Sequence, residues 1–196
     1  MSTTTSEQVA EEENQIDFVK HPLQNEWQLW YWRGEKKEWI LNLLEVTTFK
    51  TVEDFWALYN HIELVSNLKI GSDYSVFKLG IKPMWEDTRN TKGGRWLFTF
   101  QKSLNKLLDE MWLEALLCLI GDAFGEESDQ ICGAVINIRR TVDKIAVWTS
   151  DYKDEAAVMK IGRILKQRMN YNAKITYEAH EDTQNKHGQK WLYMVD

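Results

Sequence analysis

A chain of 196 residues with 43% hydrophobic and 28% charged content has the size and composition of one globular domain with a sizeable core. Its formal net charge of -6 excludes a general nucleic-acid binder, which needs a basic face to displace counterions along a phosphate track. Any phosphate contact must come from a small local group of cations. Ten tryptophans are more than a core of this size demands, so some are expected to serve a surface. Cys118 and Cys132 lie inside apolar runs and are expected as buried free thiols in a reducing compartment. No apolar run reaches the roughly 18 residues of a membrane span, and the N-terminus has no signal-like core. The expected location is the cytoplasm, or the nucleus as well.

Residues 1–20 are polar, with Ser–Thr repeats and the run Glu11-Glu12-Glu13. Such a stretch cannot bury enough apolar area to offset its ordering entropy, so a disordered acidic tail is expected, with the folded domain at 21–196. From Trp27 the pattern alternates, with Trp27, Leu29 and Tyr31 on one face and Gln28, Trp30 and Trp32 on the other: a strand with both faces partly apolar. The polar turn Arg33 to Glu38 leads to a second strand from Trp39 to about Phe49. Thr51 then caps a short helix whose first turn carries Glu53 and Asp54 and whose buried stripe is Phe55, Leu58, Tyr59 and Ile62.

Asp73 to Lys78 and Arg95 to Phe100 read as strands, joined through Pro83-Met84-Trp85-Glu86-Asp87 and Gly93-Gly94. A long helix follows from about Leu104 to Asp122. Ile131 to Arg139 and Lys144 to Thr149 make a hairpin, Asp154 to about Met169 a third helix, and Lys174 to Ala179 and Lys190 to Val195 the last strands. Strand pairs separated by helices, with short connections, predict an α+β fold: one curved antiparallel sheet with helices on one face. On the long helix, Leu104, Leu107, Leu108, Met111, Ala115, Cys118 and Leu119 share the face expected to meet the sheet. Leu113, Leu117 and Ile120 fall on the opposite side, expected as an exposed patch for a partner, extended by Val52 and Trp56 with Glu53 as a polar anchor.

Enzyme motifs are absent: there is no P-loop, no G-x-S-x-G and no H-E-x-x-H, and the four histidines share no metal-ligand spacing. No cofactor is expected. The binding signals are stronger. Trp39 and Trp85 both project from strand connections, expected at the same sheet edge, where they form two walls of a slot. A base between two indoles gains about 1–3 kcal/mol by stacking, and a cationic base gains about 2 kcal/mol more. Glu86 beside Trp85 is placed to accept two hydrogen bonds from guanine's Watson–Crick edge, a pattern adenine lacks. Arg95, Arg139, Arg140 and Lys144 sit at strand ends, and Lys186 in the polar loop before the last strand, as candidate phosphate contacts. Trp148 reads as core close to Lys144.

At these residues the chain resembles a known family. His21-Pro22-Leu23, Thr51-Val52-Glu53-Asp54-Phe55-Trp56, Pro83-Met84-Trp85-Glu86-Asp87, Gly93-Gly94-Arg95-Trp96 and Cys118-Leu119-Ile120-Gly121 look like the eukaryotic translation initiation factor 4E family, the mRNA cap-binding proteins. The resemblance runs from His21 to the C-terminus. It implies an eight-stranded cupped sheet backed by three helices, and a non-enzymatic role in translation initiation. By position it implies that Trp39 and Trp85 sandwich 7-methylguanine and that Glu86 reads its edge. Arg95, Arg139 and Lys144 then meet the triphosphate, and Trp148 lies against the methyl. It further implies that His21, Pro22, Val52, Glu53, Trp56, Leu113 and Leu117 bind the scaffold factor 4G and the 4E-binding repressors. The chain departs from the pattern at Thr141, where relatives carry a phosphate-binding lysine, at Gln189, in place of a regulatory serine, and in the turn before Trp39, one residue short. Trp32 and Trp191 are additions. A specialised paralogue acting as repressor or weak cap binder, and a carbohydrate-binding module, are the alternative readings.

Overall fold

The computed structural model describes residues 19–34, 42–184 and 191–196. The acidic tail, the stretch with Trp39 and the stretch with Lys186 and Gln189 lie outside the described residues. Eight strands form one sheet: β1 (Pro22–Trp32), β2 (Leu43–Thr51), β3 (Asp73–Lys78), β4 (Gly94–Gln101), β5 (Ile131–Asn137), β6 (Val142–Thr149), β7 (Ile175–Ala179) and β8 (Tyr193–Val195). Their order is β2-β1-β3-β5-β6-β4-β7-β8, and every neighbouring pair is antiparallel. The helices are α1 (Val52–Tyr59), α2 (Asn105–Ile120), α3 (Glu155–Arg168) and the short α4 (His180–Gln184). The expected sheet is therefore present. The second strand is described over Leu43–Thr51, the expected start at Trp39 lying outside the described residues, and α4 is a single extra turn after β7.

Side-chain alternation gives the sheet two different faces. Trp27, Leu29, Val76, Trp96, Phe98, Phe100, Ile136, Ile145 and Val147 join the main core with residues of α1, α2 and α3. The opposite face carries a smaller cluster of Phe77, Leu97, Cys132, Val135, Ala146 and Trp148, against which Trp85 packs. Both cysteines are free and buried, and burial pushes their thiols up, Cys118 to about 11 and Cys132 to about 12.

Local chemistry sets the helix ends. Thr51 Oγ1 accepts the Asp54 amide at 3.1 Å and starts α1, while Asp54 and Glu53 face the positive end of the dipole. Asp154 starts α3 in the same way, accepting the Ala157 amide at 3.1 Å. On α2 the expected stripes need correction. Leu104, which precedes the first residue of α2, and Leu107 are exposed; burial begins at Leu108 and continues through Met111, Trp112, Ala115 and Leu116. Ile120 is buried, and Leu113 and Leu117 are half-buried against the core, so the second stripe is narrower than the periodicity suggests.

α3 lies close on Trp96, whose indole N–H donates to the Val158 carbonyl at 3.0 Å. Gly162 makes that approach possible, since a Cβ there would run into the Trp96 ring. Gly162→Ala is expected to destabilise the fold by about 1–3 kcal/mol through overpacking, read as a lower urea midpoint with an unchanged m-value.

Candidate functional site: a tryptophan- and arginine-lined slot

The open face of the sheet bears a slot of about 480 Å³. Strand register organises its floor in two rows. One runs Leu43, Trp32, Asp73, Asn137, Lys144 across β2, β1, β3, β5 and β6. The other runs Phe77, Gly133, Trp148, Arg95, Glu178 across β3, β5, β6, β4 and β7. Four residues of strand separate them, about 13 Å.

The Pro83–Glu86 loop forms a wall. Asn90, fully buried, donates to the carbonyls of Lys82 and Met84, both at 2.8 Å. The Asp87 carboxylate accepts the amides of Lys82 and Arg89, both at 2.9 Å. Pinned at both ends, the loop holds Trp85 half-buried over the apolar cluster and leaves Glu86 exposed beside it. Among the described residues none donates a hydrogen bond to the Glu86 carboxylate, so its acceptor capacity is free for a ligand.

The expectation that Trp39 and Trp85 leave the same sheet edge is not met. Trp27 pairs with Lys78 and Trp32 with Asp73, so the β1–β2 connection, which contains Trp39, leaves one end of the strands and the Trp85 loop the other. Trp32 and Leu43, the strand residues bracketing the Trp39 connection, both line the slot. Trp32 and Leu43 thus line the slot toward the end opposite the Trp85 loop.

The cations are held individually. The Arg139 guanidinium grips both oxygens of Asp73, its Nη2 lying 3.0 Å from Oδ2. Its amide donates to buried Asp143 at 2.9 Å, and Asp143 also accepts from Lys102 at 2.6 Å. Burial pushes the Asp73 carboxyl up, against the pull of Arg139. Arg95 donates from Nη2 to buried Glu178 at 3.1 Å, while its Nε is buried without an acceptor. Lys144 shares the open face, two and four residues before Ala146 and Trp148, but does not line the slot.

Trp148 lines the slot from below, with an unpartnered indole N–H. Phe77 meets it edge-on at 5.4 Å, and His180 lies against it at 4.2 Å between ring centres. His180 is fully buried, both ring nitrogens lack partners, and burial with the nearby Arg95 charge lowers its pKa to about 3. Sequence reading missed Trp32 as a slot residue, although alternation had placed it on one face with Trp30. It also missed Asp73, Glu178 and His180, for which no linear signal exists.

On the helix-covered face, Val52 is 38% and Trp56 37% exposed. Trp56 is braced edge-on by Phe55 at 5.1 Å and Tyr59 at 6.1 Å. Glu53 takes the His21 amide at 2.9 Å and the His21 ring nitrogen at 2.6 Å, which lowers its carboxyl to about 2. Pro22 pairs opposite Thr51, so β1 delivers His21 and Pro22 to the start of α1.

The model of the eukaryotic initiation factor 4E family matches residues 22–193. The chain belongs to that family. It is 52% identical over 194 residues to zebrafish (Danio rerio) eukaryotic translation initiation factor 4E-1A, covering 95% of this chain and 90% of that protein. Among solved structures it resembles C. elegans eIF4E-3 bound to the 4E-binding protein Mextli and a cap analogue. There the TM-score is 0.85 and identity 44%, over 90% of this chain and 100% of that one. It also resembles schistosome eIF4E bound to m7GpppG and 4E-BP, with TM-score 0.84 and 34% identity over 90% and 99% of the two chains.

His180 sets an acid limit on this member of the family. The unfolded chain takes up its proton near the ordinary value of 6.5, the folded chain only near 3. Its contribution to stability is therefore whole above about pH 6.5 and is lost as pH falls toward 3. Thermal melts across that window are expected to fall with acid in the native protein, and His180→Phe to flatten that part of the profile.

Proposed function

We propose that this chain binds the 7-methylguanosine cap of mRNA in the slot and recruits the initiation scaffold factor 4G through α1 and α2, a contact for which 4E-binding repressors compete. One observation carries the ligand reading: a rigid loop presents an indole and an uncommitted carboxylate side by side over a floor that already holds two arginines. A cationic methylated purine stacked on Trp85 gains a cation–π contribution of about 2 kcal/mol, which unmethylated guanine lacks. Glu86 accepts the ring N–H and the exocyclic amine of guanine, and discrimination of about 1–3 kcal/mol follows from that pair. Arg95 stands in one row of the floor and Arg139 just past the other, bound to its Asp73, a spacing suited to a run of phosphates rather than one. Trp39 completes the sandwich in this reading, and Lys144 and Lys186 add longer-range attraction.

The solved relatives with a cap analogue or m7GpppG and a 4E-binding protein support both halves of the proposal. The geometry of the second half is an exposed Trp56 and Val52 beside an ionised Glu53, with Leu113 and Leu117 half-buried on the neighbouring helix. That surface suits the apolar face of an incoming amphipathic helix.

Intrinsic fluorescence titration tests the ligand. 7-Methylguanosine triphosphate is expected to quench tryptophan emission and to bind at least about tenfold tighter than guanosine triphosphate, as roughly 2 kcal/mol of cation–π energy requires. Equal binding of the two nucleotides would defeat the reading. Trp85→Ala and Glu86→Ala are each expected to abolish retention on a cap resin.

The two faces are expected to separate cleanly. Trp56→Ala should keep cap affinity and weaken a helical 4G-type peptide by about 2 kcal/mol or more, as removal of a central aromatic anchor does. Calorimetry with peptide and nucleotide in turn measures both; a Trp56→Ala protein that loses the nucleotide as well would contradict the division.

A further inference from the structure

The concave floor holds more negative charge than a phosphate site needs. Arg95 is the cation nearest Trp148 in the sheet, directly paired with it across β6 and β4. The next residue in that row is Glu178, buried, with its carboxylate 3.1 Å from the Arg95 Nη2. Arg139 is likewise bound to Asp73. Among the described residues that line or brace the slot, Arg95 and Arg139 stand with Asp73, Glu178 and Glu86, which leaves no net positive charge there.

We infer that Glu178 is a specificity-determining residue of the cap site: it holds Arg95 in place and limits how strongly the site rewards added phosphate charge. The inference rests on the cap-binding reading. Glu178 fixes the Arg95 head from the β7 side through Nη2, while Arg95 lines the slot, so the guanidinium is held in place for a ligand oxygen. Arg95 cannot swing toward solvent without stripping a buried carboxylate of its partner, which keeps the donor in position. The same carboxylate also lies just behind the guanidinium that meets the phosphate, and repels it across a few ångströms of low-dielectric protein. The nucleoside carries its charge on the base and has no phosphate, so the repulsion of phosphate is absent from it. His180 adds no charge to this balance, since burial keeps it neutral beside Arg95. Glu178 thus sets the ratio between nucleotide and nucleoside binding rather than base recognition.

The test measures 7-methylguanosine, its monophosphate and its triphosphate on the full chain and on Glu178→Gln. Glutamine keeps an acceptor for Arg95 and removes the charge. The expected result is unchanged nucleoside binding, with the triphosphate-to-nucleoside affinity ratio raised about threefold to tenfold and a steeper salt dependence. A ratio that stays the same or falls, with nucleoside binding intact, overturns the inference. If the unaltered protein does not bind the nucleoside at all, it is the cap reading that fails. Should Glu178→Gln lose its fold because Arg95 is left buried without a counter-charge, the comparison moves to Arg95→Gln against Arg95→Gln/Glu178→Gln. In that background no arginine is stranded, and the double variant is expected to show the higher ratio; equality of the two overturns the inference as firmly.

Discussion

The structure depends on a sheet whose two faces are both apolar while α1, α2 and α3 cover only one. Trp27, Leu29, Trp96 and Phe98 are buried by α1, α2 and α3, but Phe77, Leu97, Val135 and Trp148 on the reverse side are not covered by those helices; of the short α4, His180 lies against Trp148. Leaving such a cluster open to water costs about 25 cal/mol for each Å² exposed. The Pro83–Glu86 loop meets part of that need by laying Trp85 across it. The aromatic ledge that suits a stacked base is therefore also a structural lid, and the slot is the space the lid leaves. This explains why the loop is so firmly tied. Asn90 and Asp87 satisfy the backbone of a segment that would otherwise carry buried polar groups across an apolar floor.

Charge on that floor follows the same logic. An arginine near the base of a slot is desolvated before any ligand arrives, and a lone buried cation would be costly. Glu178 offsets that cost for Arg95, and Asp73 fixes the more exposed Arg139 guanidinium in space. The arrangement trades raw attraction for order, in keeping with a chain of net charge -6. Affinity then has to come from the fit of one nucleotide and not from a long electrostatic track.

Much of the architecture was legible in the sequence because its periods were clean. The alternation from Trp27 placed Trp30 and Trp32 together, and the Thr51 cap and the stripe of Phe55, Leu58 and Tyr59 gave α1. Register was not legible. Pairing of β1 with β3 joins segments tens of residues apart, and without it the Trp39 and Trp85 connections cannot be assigned to opposite ends of the strands. Helix periodicity failed at Leu104 and Leu107, where the stripe continues in sequence beyond the residues that are buried. Glu178 and Asp73 read as ordinary strand carboxylates, since nothing linear marks a carboxylate whose partner arrives from another strand.

The strand β1 shows how one sheet can serve two surfaces without confusing them. Its odd residues Trp27, Leu29 and Tyr31 pack toward the helices, and its even residue Trp32 enters the slot. Its start delivers His21 to Glu53 at the head of α1, and its end leads into the connection that carries Trp39. A period of two keeps these duties apart, since a slip of one residue would exchange every side chain between faces. The unbroken pairing with β3, from Trp27 with Lys78 to Trp32 with Asp73, fixes that register, while the β2 side shifts between Pro22 and Trp27 and between Leu29 and Trp30. Both surfaces accordingly share a rigid backbone while keeping their contacts on opposite sides of it. Replacing a side chain on one face therefore acts on one ligand, whereas a change in the β1 register acts on both.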